Sequence, residues 1–210
     1  MKIVIFGATG TIGKHVVTQS LEQGHKVYAF SRTLDKLNQF EHPQLNKIHG
    51  DVLNLTDLNK AMRGMDVVII VLGDGKNYNS TVRSEGTKNI INAMNNNDVE
   101  RLICQTTLGA GDSKGNLNFF WKYLMFGWFL KNIFQDHLLQ EEHVKNSGLD
   151  WTIVRPAAFT DGDKSTNYRH GFSATDKTVK LKIARADVAD FILKQVHSSL
   201  YLLKSPGISY

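Results

Sequence analysis

Residues 2–13 read KIVIFGATGTIG, a short unbroken apolar run that ends directly in glycines at 7, 10 and 13. A continuous rather than alternating apolar run is the mark of a strand buried on both faces. The residues that follow place Val16, Val17 and Leu21 at helical spacing and stop at Gly24, a glycine where a helix of this length would end. Strand, glycine turn and helix in that order open a βαβ unit.

The same alternation continues along the chain. Further apolar runs lie at 27–30, 67–72, 102–104 and 151–154, with a weaker one at 45–49. Between and after them the pattern predicts helices at about 11–23, 34–40, 56–63, 80–96, 134–146 and 185–198. Strands that alternate with helices imply right-handed crossovers and a parallel, doubly wound α/β sheet with helices on both faces. There is no internal repeat, low-complexity tract or linker, so residues 1–210 are expected to form a single domain. The irregular segment 155–184 reads as a cap on it.

Totals narrow the function classes. The 210 residues, 41% hydrophobic and 21% charged, are ordinary globular values and enough to bury about 70% of the unfolded surface. Cys104 is the only cysteine, which excludes an internal disulfide and suits a reducing, cytoplasmic setting. Ile3–Phe6 is too short for the apolar core of a signal peptide, and no stretch approaches the length of a membrane span. A net charge of +5 comes from scattered Lys and Arg. Nucleic acid would want them gathered into a patch, so an anionic small ligand is the simpler expectation.

The glycines gain meaning from their place. Between a first strand and a first helix, backbone N–H groups and the helix dipole can hold a pyrophosphate. Gly7 permits the turn, Gly10 lets phosphates approach the backbone, and Gly13 lets the helix pack on the strand. A second strand that serves NAD usually ends in an acid for the ribose 2′-hydroxyl. Here it ends in YAFSR, so Ser31 and Arg32 stand there instead, and a guanidinium suits a 2′-phosphate. Asp35 falls beyond the strand. These residues point to NADP(H). Asp51 and Val52 after the third run, and Leu72 and Gly73 after the fourth, fall where such sheets bind ligands, outside the carboxyl ends of the strands. Asp51 could accept from an adenine amino group.

With these residues the chain resembles the atypical short-chain dehydrogenase/reductase superfamily. It is most similar to the branch that holds biliverdin reductase B (flavin reductase) and the NmrA-like NAD(P)-binding proteins. The matching stretches are IFGATGTIG, Arg32, GDV at 50–52, VRSEGTKNIINAM at 82–94, TTLGAG at 106–111, SGLDWTIVRPAAFTDG at 147–162 and IARADVADFIL at 183–193. The resemblance implies a Rossmann fold in which Thr9, Gly10, Thr11 and Ile12 line the pyrophosphate and Arg32 the 2′-phosphate. It puts Asp51 and Val52 at the adenine, and Leu72 and Gly73 near the adenosine ribose and pyrophosphate. Thr106 and Thr107 would lie near the nicotinamide, Pro156, Ala157 and Phe159 on its carboxamide side, and His137 at its ribose. Tentative catalytic roles fall to His137 and Thr107.

The departures bear on chemistry. Carbonyl-reducing members use Tyr-x-x-x-Lys, the phenol giving a proton while the lysine lowers its pKa. No tyrosine here has a lysine four residues on. Hydride transfer to a flavin or quinone can take its proton from solvent, because the ring system carries the hard chemistry. Two expectations follow. One is an NADPH-dependent reductase of flavins, quinones or similar planar acceptors, a monomer or homodimer, with substrate-side segments at about 106–134 and 155–184. The other is a non-catalytic NADP(H)-binding redox sensor of the NmrA-like kind.

Residues 119–134, FFWKYLMFGWFLKNIF, hold eight aromatic side chains in sixteen positions. Three readings stay open for them: a helix filling the core, a lid on which a planar substrate stacks, or a dimer or membrane-surface contact flanked by Lys122 and Lys131. His137 and His143 beside Glu141 and Glu142 suggest a metal cluster, but histidines six apart face different sides of a helix. No metal site is expected.

Overall fold

The computed structural model describes residues 1–75 and 77–210. Its main sheet has eight strands. In chain order they include β1 (Lys2–Phe6), β2 (Lys26–Ser31), β3 (Leu45–His49), β4 (Val67–Ile70), β5 (Arg101–Gln105) and β6 (Asp150–Pro156). β7 (Ala158–Thr160) and β9 (Lys182–Ala184) pair apart from it as a small parallel sheet. β8 (Arg169–His170) and β10 (Gly207–Ser209) complete the main sheet, whose order is β3-β2-β1-β4-β5-β6-β10-β8. All its pairings are parallel except β10 with β8. The chain winds outward from β1 to β3, then returns to β4 beside β1 and winds the other way. That reversal opens a crevice at the carboxyl ends of β1 and β4, where doubly wound sheets hold their ligands.

Alternation along β1 separates two cores. Ile3 and Ile5 face a cluster with Val16, Val17 and Leu21 of α1 (Gly13–Glu22) and Val188, Ile192 and Leu193 of α5 (Arg185–Lys194). Val4 and Phe6 face the opposite cluster. It is built by Leu58 and Met62 of α2 (Leu55–Met62), Ile90 and Met94 of α3 (Val82–Asn95) and Val144 of α4 (Lys131–Lys145). Successive strand residues point to opposite faces, so past their first residues the central strands β1, β4, β5 and β6 are buried throughout and the continuous apolar runs are explained.

The glycines divide into two kinds. Gly7 has φ +91°, and a Cβ there would lie 2.4 Å from the Val71 carbonyl oxygen. A Cβ on Gly13 would lie 2.0 Å from the Gly7 carbonyl oxygen. The fold itself requires both. Gly10 is exposed, and its Cβ would meet only the Gly7 carbonyl oxygen at 3.1 Å, so its bareness serves the open side of the turn.

Several elements differ from the sequence reading, among them the short strands β7, β8 and β9 in the segment 155–184, which reads as irregular because two or three residues carry no pattern. Residues 34–40 form one 3₁₀ turn, Leu34–Leu37, rather than an α-helix. Thr33 gives it no side-chain cap, only Leu37 is buried to anchor it, and the Gln39 amide takes the Lys36 carbonyl. The C-terminal strand β10 was not anticipated, since three residues after Pro206 give too short a pattern to register. The largest correction concerns the aromatic run. Phe120–Phe129 is a π-helical segment with no buried residue, which overturns the reading that it fills the core. It leans on α4 through Phe126 stacked on Phe134, ring centroids 4.7 Å apart.

Candidate functional site

The carboxyl edge of the sheet gathers most of the residues singled out from the sequence. The turn 7–13 leaves β1, Ser31 and Arg32 end β2, Asp51 and Val52 follow β3, and Leu72 and Gly73 follow β4. Thr106 and Thr107 follow β5, and Pro156 and Ala157 end β6. At the turn, the Gly10 N–H donates to the Gly7 carbonyl at 2.9 Å. The Lys14 N–H is spent on the Gly10 carbonyl at 3.1 Å, but no side chain caps α1 at Ile12, which leaves the start of a ten-residue helix open to an anion.

The neighbouring strand ends have distinct surroundings. The Ser31 hydroxyl is held by Thr33, donating to its carbonyl and accepting from its N–H, each at 3.1 Å. Arg32 is exposed, with no ion-pair partner among the described residues. Asp51 accepts the Leu53 N–H on Oδ1 at 3.0 Å, leaving Oδ2 for a ligand. Val52 and Leu72 are buried against Gly86 of α3, where a Cβ would lie 2.9 and 3.0 Å from them. Gly73 lies beside the Arg83 guanidinium. Arg83 is buried, its Nη1 has no hydrogen-bond partner, and Asp136 Oδ2 stands 3.5 Å away.

At the far end of the crevice, α4 supplies three consecutive functions. Asp136 accepts the backbone N–H groups of Arg83 and Ser84 at 3.2 and 2.9 Å. A carboxylate from another helix thereby caps the first turn of α3. His137, 7% exposed, bonds through Nδ1 to Gln140 Oε1 at 3.0 Å, and Gln140 Nε2 donates to Thr87 Oγ1 at 3.1 Å. With the amide nitrogen committed to Thr87, Gln140 Oε1 takes the imidazole proton, so Nε2 of His137 carries a lone pair. Burial, with the nearby Arg83 guanidinium adding to it, lowers the His137 pKa to about 4. The ring is neutral at neutral pH.

Glu141 forms the centre of the third arrangement. Its Oε1 accepts from Thr106 Oγ1 at 2.9 Å and Arg155 Nε at 2.8 Å, and its Oε2 from Arg155 Nη2 at 2.7 Å and Lys145 Nζ at 3.0 Å. Arg155, 1% exposed, also donates to Asp112. Burial pushes the Glu141 carboxyl upward, but the bonds from Arg155 and Lys145 outweigh it and hold the group below the usual carboxylate range. Thr106 therefore spends its hydroxyl on Glu141. Thr107 makes only a long 3.4 Å contact to the Leu108 carbonyl and keeps its hydroxyl for the crevice. Phe159 is exposed and lies under the Arg185 guanidinium at 5.4 Å. The sequence reading missed the Glu141–Arg155 pair. The signal was a lone arginine inside WTIVRP, a strand that otherwise has no use for a charge.

A family model described as NAD(P)H-binding matches residues 7–199. The chain belongs to this NAD(P)H-binding family. Among curated relatives, a 3-beta-hydroxysteroid dehydrogenase of Mycolicibacterium neoaurum is 32% identical over 114 residues, 49% of this chain and 31% of that protein. The chain spans roughly a third to a half of the length of the first curated relatives it matches. Among solved structures, ChuY, an anaerobilin reductase from Escherichia coli O157:H7, has a TM-score of 0.81 at 21% identity, covering 100% of this chain and 97% of ChuY. A short-chain dehydrogenase/reductase of Veillonella parvula in complex with NADP has a TM-score of 0.82 at 18% identity, covering 100% and 94%. At such identities the likeness is one of fold.

The residues present fit the NAD(P)H that defines the family. A bare, exposed Gly10 lets a pyrophosphate approach the uncapped start of α1, and the small Gly73 leaves room beside a buried guanidinium whose Nη1 has no hydrogen-bond partner. At the reactive end, the Glu141–Arg155 pair fixes Thr106 and so the β5 turn. We expect Arg155→Met to cost about 3–5 kcal/mol in a chemical denaturation series, because it strands Glu141 as a buried charge. Asp112 is largely exposed, so Asp112→Asn should cost less than about 1 kcal/mol; equal costs would refute the assignment.

His137 gives a pH signature of definite sign. Its folded pKa of about 4 lies below the ordinary value of 6.5, so the unfolded chain binds the proton first as pH falls. The stability present above pH 6.5 is then lost on acidification, by up to roughly 3 kcal/mol from this group on reaching its folded pKa. Urea denaturation of His137→Gln should show a correspondingly shallower loss over that interval.

Proposed function

We propose that the chain is an NADPH-dependent reductase of flavins, quinones or similar planar, electron-poor acceptors. The observation that carries this reading is the absence, among the described crevice residues, of an acid able to give up a proton near neutral pH. His137 is neutral, Glu141 is ionised and fully engaged, and burial pushes the Cys104 thiol up and out of use. The Tyr-x-x-x-Lys pair is missing from the sequence. Hydride delivered to a carbonyl leaves an alkoxide that needs such a donor. Hydride delivered to a flavin or quinone leaves a delocalised anion that solvent can protonate.

NADPH supplies the hydride, and the chain's own residues have to bind, orient and shield. Thr9 to Gly13 would hold the pyrophosphate, Arg32 with Ser31 the 2′-phosphate, and Asp51 with Val52 the adenine. The lone pair on His137 Nε2 would accept from a ribose hydroxyl, with Thr107, Pro156 and Ala157 bordering the nicotinamide. A solved neighbour named as a reductase agrees with this reading. The single buried cysteine suits a cytoplasmic protein, acting as a monomer or homodimer. The same missing acid favours one rival, an NADP(H) sensor without turnover.

A panel of FMN, riboflavin, menadione and biliverdin, with NADPH absorbance followed, separates the two. Oxidation in the presence of at least one acceptor is expected, and tight NADPH binding with none turned over would leave the sensor. For cofactor choice, Arg32→Ala should weaken NADPH by about 2–3 kcal/mol through loss of a charge-assisted contact. NADH binding should move by less than about twofold. A wild type that prefers NADH in titration would defeat the Arg32 argument.

A further inference from the structure

The turn that follows β5 leads from Thr107 through Gly109 to Leu117, and beyond it stands the exposed aromatic lobe. Gly109 abuts both: a Cβ there would lie 2.5 Å from Leu117 Cδ1 and 3.3 Å from Phe126 Cε2. On the outer side of this contact is a cavity of about 200 Å³. Lys114, Lys122 and Lys131 line it from three different segments, together with Leu117, Phe126, Phe134 and Gln135. No carboxylate lines it. None of the three lysines has an ion-pair partner among the described residues, although Lys122 lies over the Tyr123 ring at 5.1 Å.

Three lysines without a carboxylate among the residues lining one hollow favour an anion there. The wall between them is the Phe126–Phe134 stack, a surface suited to the face of a planar ring. The volume is below the roughly 300–1,000 Å³ of a whole-ligand site, as befits a pocket for one arm of a larger molecule. The rim is held in place: Asn116 donates to the Ser173 and Asp176 carbonyls at 2.8 and 3.0 Å, and Lys177 donates to the carbonyls of Gly115 and Leu117.

We propose that Lys114, Lys122 and Lys131 form an anion subsite that takes the phosphate or carboxylate arm of a planar substrate, whose ring lies against Phe126. This rests on the reductase reading, and it narrows the substrate class from planar acceptors to planar acceptors carrying an anionic side arm. The cofactor's own phosphates are placed elsewhere, at residues 7–13 and at Arg32, so the subsite belongs to the second substrate.

The test compares molecules that share a ring and differ in the arm: FMN with riboflavin, and biliverdin with its dimethyl ester. Binding is measured on the full chain loaded with NADP⁺, by fluorescence anisotropy for the flavins and calorimetry for the tetrapyrroles, which needs no turnover. The armed compound of at least one pair should bind about tenfold tighter at low salt. That ratio should shrink as salt rises, and approach unity in the triple variant Lys114→Gln, Lys122→Gln, Lys131→Gln. Which pair responds tells phosphate from carboxylate. An unchanged thermal melting point and NADPH affinity establish that the triple variant is folded. Equal binding within both pairs in the wild type, or no binding of any of the four, overturns the subsite. Turnover of riboflavin or menadione without a preference for the arm would leave the reductase standing while the subsite falls. Arm-dependent binding without NADPH oxidation would do the reverse.

Discussion

The buried pair between Glu141 and Arg155 is the constraint on which the geometry around the β5 turn depends. One carboxylate is shared by a helix, two neighbouring strands and a loop: its own α4, Thr106 at the end of β5, Arg155 in β6, and Asp112 through Arg155. A charge pair in a protein interior is seldom a net source of stability, since desolvation offsets most of the attraction. Its value lies in geometry. The guanidinium meets the carboxylate with two parallel bonds, a fork that tolerates little rotation, and so the β5 turn cannot slide against β6. Thr107, the next residue, inherits that fixed position.

The same helix extends the frame toward the cofactor side. Asp136 caps α3 across a helix interface, and Gln140 joins His137 to Thr87 of the same α3. Positions 136, 137, 140 and 141 lie on one face of α4, and all are buried. Polar residues on a buried helix face are costly unless each is satisfied. Here nearly every atom is, the Arg83 Nη1 standing out because it is not. The Arg83 guanidinium beside Gly73 and the Nε2 of His137 are places in this frame where a ligand would complete the bonding.

Much of this was legible in the sequence, and the boundary is physical. Central strands buried on both faces write themselves as continuous apolar runs, which is why β1, β2, β4, β5 and β6 fall where VIF-like runs predict. The glycine turn is legible because backbone sterics, not side-chain contacts, dictate it: Gly7 and Gly13 have no room for a Cβ. Arg32 is exposed at the end of β2 with no ion-pair partner among the described residues, as the strand-end reading expects of a residue without a structural task. The Glu141–Arg155 pair was not, because pairing across fourteen residues of helix, turn and strand has no local pattern. The segment 34–40 failed for the opposite reason: its local pattern is helical, but a single buried leucine is too little to hold a helix together.

The aromatic run marks the limit of composition as evidence. Density of Phe, Trp and Tyr ordinarily signals burial, yet Phe119 and Trp128 are 78% and 71% exposed. An apolar surface of that size is expensive in water and is rarely kept without a use. Its position fits the use argued here. The burial that makes the inner end of the crevice exact also removes every group that could give a proton near neutral pH, so discrimination among acceptors cannot rest on acid chemistry there. It has to come from shape, stacking and charge at the outer end, and the only described segment that offers all three beside the β5 turn is the lobe at 114–135. The Glu141–Arg155 frame thus fixes the β5 turn beside which hydride would be presented, while the exposed aromatic and lysine surface beyond Gly109 decides what is held in front of it.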